Sequence, residues 1–195
     1  MSEPTKEVLR RMIEGRSSWD ELLGVMRGEK EPDHFRKYLE VLQERVQWQE
    51  RILLPLAEHL YIVQKADGAR IVKCDCGHEF CDYRENWKLD ALINVRNTDA
   101  AINEIYPRPM CCNSEWMELR EYLCPGCQTQ LDVEAVPPGY PVVFNFLPDL
   151  DAFYRHWLGE ALEPEVRSGP PQPGPITGRT AVYRGAGEAE ARNRS

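Results

Sequence analysis

Four of the seven cysteines stand in two short motifs, Cys74-Asp-Cys76 and Cys124-Pro-Gly-Cys127. Thiolates are preferred zinc ligands, and structural zinc sites take four ligands, usually as two close pairs, in a tetrahedron. Four protein thiolates leave no coordination position for water, so such a site is structural and not catalytic. The spacing therefore predicts one structural zinc ion bound by Cys74, Cys76, Cys124 and Cys127.

Other ligand sets stay open at this point. One residue between paired cysteines is less common than two, so His78 or Cys81 could take the place of Cys76. We interpret the adjacent Cys111 and Cys112 as packing or surface thiols, because neighbouring thiols rarely reach one metal without strain. Buried cysteines without a metal are a further alternative. A redox dithiol fits the Cys-Pro-Gly-Cys motif poorly, because the expected βαβ context is missing.

Length and charge exclude several function classes. The chain has 195 residues, with 24 Lys and Arg against 32 Asp and Glu, a net charge of −8. An acidic chain without a basic patch argues against nucleic-acid binding. No apolar run approaches the roughly 18 residues that span a bilayer, and the charged, amphipathic N-terminal segment is unlike a secretory signal. We therefore expect a cytoplasmic protein, in which close dithiols bind metal rather than form disulfides.

The region 1–59 is predicted to be helical. Apolar residues recur there at three- and four-residue spacing in three stretches. Ser18 and Glu21 match a capping box, and Pro32-Asp33 begins a longer amphipathic helix. The apolar stripes are interpreted as packing surfaces. Docking of these helices on another subunit is the alternative.

The region 60–162 is predicted to be a zinc-ribbon-like antiparallel β domain with short helices, which makes the fold class α+β. Asp67-Gly68 indicates the turn of a hairpin that leads into Cys74. The two cysteine motifs are separated by 47 residues. Closing this long insertion costs roughly 1 kcal/mol more than closing a compact motif, against on the order of 10 kcal/mol from structural zinc. Strands are predicted at 61–63, 70–72, 91–96, 117–123, 131–136 and 142–146, and short helices at 99–105 and 151–158.

The region 163–195 is predicted to be a disordered tail. It holds five Pro and five Gly and almost no large apolar side chains. Such a segment cannot bury enough surface to offset the entropy of ordering it. Whether it orders on a partner stays open.

The sequence predicts no catalytic residue. It has no glycine-rich phosphate loop and no G-x-S-x-G motif. The four histidines are scattered, and His34 and His156 fall in helical patterns that favour packing or surface roles. Most carboxylates lie on polar helix faces.

Several long segments resemble the small gamma subunit of acetone carboxylase, over roughly residues 5–157. The segments are YLEVLQER (38–45), IVKCDCGHEF (71–80), DYRENWKL (82–89), EWMELRE (115–121) and VEAVPPGYP (133–141). The tail, Cys81 and the Cys111-Cys112 pair depart from the family pattern.

The resemblance implies a subunit of a hetero-oligomeric, biotin-independent carboxylase that uses ATP to convert acetone and bicarbonate to acetoacetate. It implies that large alpha and beta subunits carry the nucleotide, the substrate chemistry and manganese. The small subunit would carry zinc and pack on the larger chains, and would be inactive alone. Only Cys74, Cys76, Cys124 and Cys127 carry over from the family as functional residues.

Two other functions remain alternatives. One is a stand-alone zinc-ribbon interaction or assembly module, and the weaker one is an independent zinc hydrolase, against which the closed ligand set counts. The aromatic and charged segment 82–87 is either a loop packed over the ribbon or a docking surface. In the second case Tyr83, Arg84 and Trp87 would be the anchors.

Overall fold

The computed structural model describes residues 5–28 and 32–166, and shows an α+β fold as predicted. Two antiparallel sheets form its centre, with strand orders β1-β2-β3-β4 and β5-β6-β7. The first sheet consists of β1 Arg51–Ala57, β2 Leu60–Gln64, β3 Arg70–Cys74 and β4 Glu79–Asp82. The second consists of β5 Leu92–Arg96, β6 Glu118–Leu123 and β7 Gln130–Val136.

Three helices precede the sheets, and short helical segments follow. Thr5 caps α1, and the predicted capping box of Ser18 and Glu21 is present at α2. A side chain that accepts from these first backbone N–H groups satisfies donors that the helix leaves unpaired. The helices are α1 Lys6–Ile13, α2 Trp19–Arg27, α3 Pro32–Arg45, α4 Asp99–Asn103 and α5 Leu150–Phe153, with a 3₁₀ turn at Trp87–Leu89 and a π-helical turn at Tyr154–Leu158.

Two predicted hairpins carry the cysteine motifs toward each other. β2 and β3 pair in register from Leu60 opposite Cys74 to Gln64 opposite Arg70. β6 and β7 pair around the second motif, with a register shift between Tyr122 and Leu123. Because β3 ends at Cys74 and β6 ends next to Cys124, both motifs lie at strand ends.

The structure differs from the sequence-based expectation at two strands. β1 lies inside the region expected to be helical, because a short Leu-rich run is ambiguous between helix and strand. Its Pro55 fits an edge strand, which has an unpaired side. The strand predicted at 142–146 is wrong, since this segment forms no ladder with another described strand. The Val142 carbonyl instead accepts a hydrogen bond from Asn86 Nδ2 at 3.2 Å.

The main core lies between the two sheets. Ile62 and Val72 of the first sheet and Tyr122 of the second are all fully buried in it. The C-terminal turn closes the core with Tyr154 and Leu158. A smaller cluster on the other side of the first sheet joins α3 to the strands. The predicted packing role of the α3 stripe is therefore confirmed for its residues in that cluster: Tyr38, Leu39 and Leu42.

The docking interpretation of the segment 82–87 is wrong. Tyr83 and Trp87 are both 8% exposed and belong to the main core. Arg84 donates to Asp82 and forms an ion pair with Glu165 at 2.8 Å. These side chains are packed within the chain, which agrees with a loop covering the ribbon.

The beginning of the tail lies against the first sheet. The Glu163 carbonyl accepts from Gln64 Nε2 at 3.3 Å and from Arg70 Nη2 at 3.2 Å. The remainder of the predicted disordered tail, 167–195, lies outside the described residues. In the part of the chain that is described, no helix has the length and apolar character needed to cross a membrane.

Tyr154 offers a test of the main core. Burial raises its pKa to about 12, so its hydroxyl is protonated and donates to the Leu53 carbonyl at 2.8 Å. Tyr154→Phe should lower the free energy of unfolding by about 1.5 kcal/mol, because a buried carbonyl loses its partner. Urea denaturation measures this change. Tyr140→Phe, at a 45% exposed tyrosine, is the matched control, and an equal loss in both variants would contradict the assignment.

Candidate metal centre

The two cysteine motifs meet in one cluster of sulfur atoms. The sulfurs of Cys74, Cys76, Cys124 and Cys127 all lie within 4.8 Å of one another. Cys74 Sγ lies 3.8 Å from Cys127 Sγ, and Cys76 Sγ lies 3.7 Å from Cys124 Sγ. All four cysteines are free, with Cys74 and Cys124 buried and Cys76 and Cys127 exposed. Simple burial of thiols in a core therefore does not explain the grouping.

The spacing of the sulfurs fits a tetrahedral metal site. Zinc–sulfur bonds of about 2.3 Å place the sulfurs of a regular tetrahedron about 3.8 Å apart. Two cross-motif sulfur–sulfur distances, 3.8 and 3.7 Å, match this edge. Four soft donors in such an arrangement could bind a metal and are compatible with zinc.

The alternative ligands make other contacts. The His78 ring packs edge-on against Phe80, with ring centroids 4.9 Å apart. Cys81 Sγ faces the Glu85 carbonyl at 3.8 Å. Neither residue joins the sulfur cluster, nor do the half-buried Cys111 and Cys112, within the ranges that the structure describes.

Tight turns aim the sulfurs of each motif. In the first, the Gly77 N–H donates to the Cys74 carbonyl at 2.9 Å, and Gly77 adopts φ +93°, which favours glycine. In the second, the Gln128 N–H donates to the Cys124 carbonyl at 2.8 Å. The Gly126 N–H reaches Cys124 Sγ at 3.4 Å. This is the kind of backbone contact to sulfur expected from the proline and glycine of the motif.

Side chains outside the motifs hold the first turn in place. Trp48 Nε1 donates to the carbonyls of Cys74 and Asp75 at 3.2 and 3.1 Å. His59 Nδ1 lies 2.5 Å from the Asp75 carboxylate, and the His59 carbonyl accepts from the Asp75 N–H at 3.1 Å. The sequence reasoning missed both Trp48 and His59. Neither belongs to a motif, and the contacts depend on the folded chain.

The protonation of the four thiols differs across the cluster. Burial, and then the neighbouring Cys124 sulfur, raises the pKa of Cys74. Burial also raises the pKa of Cys76. At Cys127 burial acts in the same direction, but hydrogen bonds from the Thr129 side chain and backbone outweigh it and lower the pKa to about 7. Four thiolates this close together would repel, so ionisation of all four would require a bound cation.

Comparison with known proteins places these residues in a family. The family described as acetone carboxylase gamma subunit matches residues 46–158, which include both cysteine motifs. The acetone carboxylase gamma subunit of Xanthobacter autotrophicus is 46% identical over 149 residues, covering 76% of this chain and 89% of that protein. The acetophenone carboxylase beta subunit of Aromatoleum aromaticum is 29% identical over 80 residues, covering 40% of this chain and 62% of that protein.

A substitution at Gly126 tests how closely the two cysteine turns must approach each other. A Cβ atom there would lie 3.0 Å from His78 Cβ and 3.3 Å from Cys76 Sγ. Gly126→Ala should therefore push the turns apart and weaken metal affinity roughly tenfold or more, as changes around metal ligands commonly do. Competition with a chromophoric chelator measures the affinity.

Gly24→Ala is the matched control for this experiment. A Cβ at Gly24 would meet nothing within 4 Å, so metal affinity should be unchanged. Equal affinity in the Gly126→Ala and Gly24→Ala proteins would contradict the close approach of the two turns.

Proposed function

Because the chain belongs to the acetone carboxylase gamma subunit family, we propose that it is the zinc-binding small subunit of a hetero-oligomeric ketone carboxylase. The reaction would be the biotin-independent, ATP-dependent conversion of acetone and bicarbonate to acetoacetate. The observation that carries the proposal is the 46% identity to an acetone carboxylase gamma subunit across 89% of that relative. We place the assembly in the cytoplasm.

We assign zinc to the four-sulfur cluster, with Cys74, Cys76, Cys124 and Cys127 as its ligands. The support is the donor set of four thiols and the sulfur–sulfur distances of 3.8 and 3.7 Å. When bound, the ion supplies two positive charges that offset half the charge of four thiolates, and it links the two hairpins. The contacts from Trp48 and His59 then hold the first turn in position for binding.

We further propose that this chain has a structural role and that partner chains perform the chemistry. Four thiolate ligands give a closed coordination sphere without a position for water or substrate. The His59–Asp75 pair beside the cluster is engaged in fixing the turn. ATP and manganese are accordingly assigned to the large alpha and beta subunits.

A stand-alone zinc-ribbon interaction module is the second candidate. The observation in its favour is that the helices α1, α2 and α3 precede residue 46, where the family match begins. These helices could serve a partner of another kind. Association with large carboxylase chains separates the two functions.

The metal assignment is tested by paired cysteine variants. Cys124→Ser should lose stoichiometric zinc, loosen the two hairpin turns and reduce assembly with partner chains, because metal binding is coupled to local folding. Cys112→Ser should change none of these properties, since Cys112 lies outside the cluster. Elemental analysis of the purified proteins measures the zinc content. Full zinc occupancy in a well-folded Cys124→Ser protein would refute the ligand set.

The carboxylase assignment is tested by co-purification. A tagged chain expressed from its native locus should bring down two large polypeptides, and the purified assembly should form acetoacetate from acetone and bicarbonate only when ATP is present. The isolated chain should show no such activity. Purification of the tagged chain alone, or with unrelated proteins, would favour the interaction module instead.

A further inference from the structure

Helix α2 exposes an apolar stripe. None of its residues is buried in the described chain, and Trp19 and Met26 are 67% and 69% exposed. With 3.6 residues per turn, Leu22 and Leu23 share a face with these two side chains. Helices shorter than roughly 12 residues are marginal in water unless an apolar face is packed. This nine-residue helix therefore gains its stability when another surface covers the stripe.

The two most exposed side chains of the stripe, Trp19 and Met26, lie on the side of α2 opposite to its contact with α1. Glu21, on the opposite side of α2, forms an ion pair with Arg11 of α1. The Glu21 carboxylate also accepts from the Ser18 N–H at 3.0 Å. These contacts orient the Glu21 side toward α1 and leave Trp19 and Met26 exposed, with Leu22 and Leu23 half-buried between them.

The charged residues beside the stripe have opposite signs and can pair between two copies of the helix. Asp20 and Arg27 are exposed and lie seven residues apart, two helical turns, on the same flank of the stripe. When two such helices pair antiparallel, equal flanks face each other. Asp20 of one copy then lies opposite Arg27 of the other, and the two-fold axis generates the same pair again.

The apolar residues match in the same arrangement. Antiparallel pairing places Trp19 of one copy against Met26 of the other, a favourable aromatic–thioether contact. Leu22 and Leu23 of both copies then meet at the centre of the contact. One antiparallel alignment therefore satisfies the charged flank and the apolar stripe together.

We propose that α2 pairs antiparallel with α2 of a second copy of this chain, forming a two-fold contact. Four apolar side chains per copy make a patch smaller than the standard interface of about 800 Å² per partner. The contact is therefore weak between isolated chains, and is strengthened where other interfaces hold two copies near each other. This pairing goes beyond the proposed function and does not depend on it.

A charge-swap experiment tests the pairing. Sedimentation equilibrium of the full chain, with zinc retained and a non-chelating reductant present, should show a concentration-dependent dimer. Asp20→Arg and Arg27→Asp should each weaken it about tenfold, because both symmetric pairs become like-charged. An equimolar mixture of the two variants should recover the wild-type affinity, since every charge on one variant then lies opposite a charge of the other sign on its partner. Trp19→Ala should abolish the dimer.

The mixture is the decisive measurement. A partner groove of another protein could cover the same stripe, but it would not require Asp20 and Arg27 to oppose each other. A mixture no more dimeric than either variant alone, or a wild-type chain that stays monomeric at millimolar concentration, overturns the proposal. Far-ultraviolet circular dichroism checks that each variant keeps its helices. Zinc content and acetoacetate formation test the proposed function separately, because the cysteine cluster lies outside α2 and loss of the dimer alone leaves the proposed reaction untested.

Discussion

The arrangement of this protein depends on bringing the ends of two hairpins from separate sheets to within one coordination sphere. The four sulfurs must lie within 4.8 Å of one another while the same two sheets share a core that includes Ile62 and Tyr122. A strand advances by about 3.3 Å per residue, which is close to the 3.7 Å separation of Cys76 and Cys124 sulfurs. A slip of one residue in either sheet would therefore separate the cysteines and also turn core side chains toward solvent.

The same constraint explains why residues far from the cysteines matter for the cluster. Trp48 follows α3 and packs on Tyr61, with ring centroids 6.0 Å apart. The Lys73 ammonium lies over the Trp48 ring, 5.1 Å from its centroid. Its indole N–H also reaches the carbonyls of Cys74 and Asp75. The position of the first cysteine turn is thus coupled to the packing of the N-terminal helices on the first sheet. A change in that packing would therefore shift the first cysteine turn through the hydrogen bonds of Trp48.

Local patterns in the sequence predicted the parts of the fold that local chemistry determines. The Asp67-Gly68 hairpin, the Ser18 capping box and the strands on both sides of Cys124 all have short-range signals, and the structure shows each of them. β1 was not predicted as a strand, because its sequence is rich in Leu and includes Pro55. Its strand conformation depends on pairing with β2. The segment 142–146 has a strand-like composition but forms no backbone ladder with a described strand, and composition alone does not determine pairing. The contacts of Trp48 and His59 are long-range, so no spacing rule could reveal them.

Charged side chains also join the second sheet to the loop after β4. Lys88, 3% exposed, lies 2.6 Å from both Asp132 and Glu134 of β7. Burial would raise the pKa of Glu134, but hydrogen bonds from Lys88 and from Tyr122 outweigh burial and lower it. Breaking a buried pair of this kind commonly costs about 3–5 kcal/mol. Because this network and the aromatic core connect the second sheet to the loop after β4, the sheets stay together by contacts that do not involve the four cysteine sulfurs. The cluster therefore determines the position of the turns, and the core determines the association of the sheets.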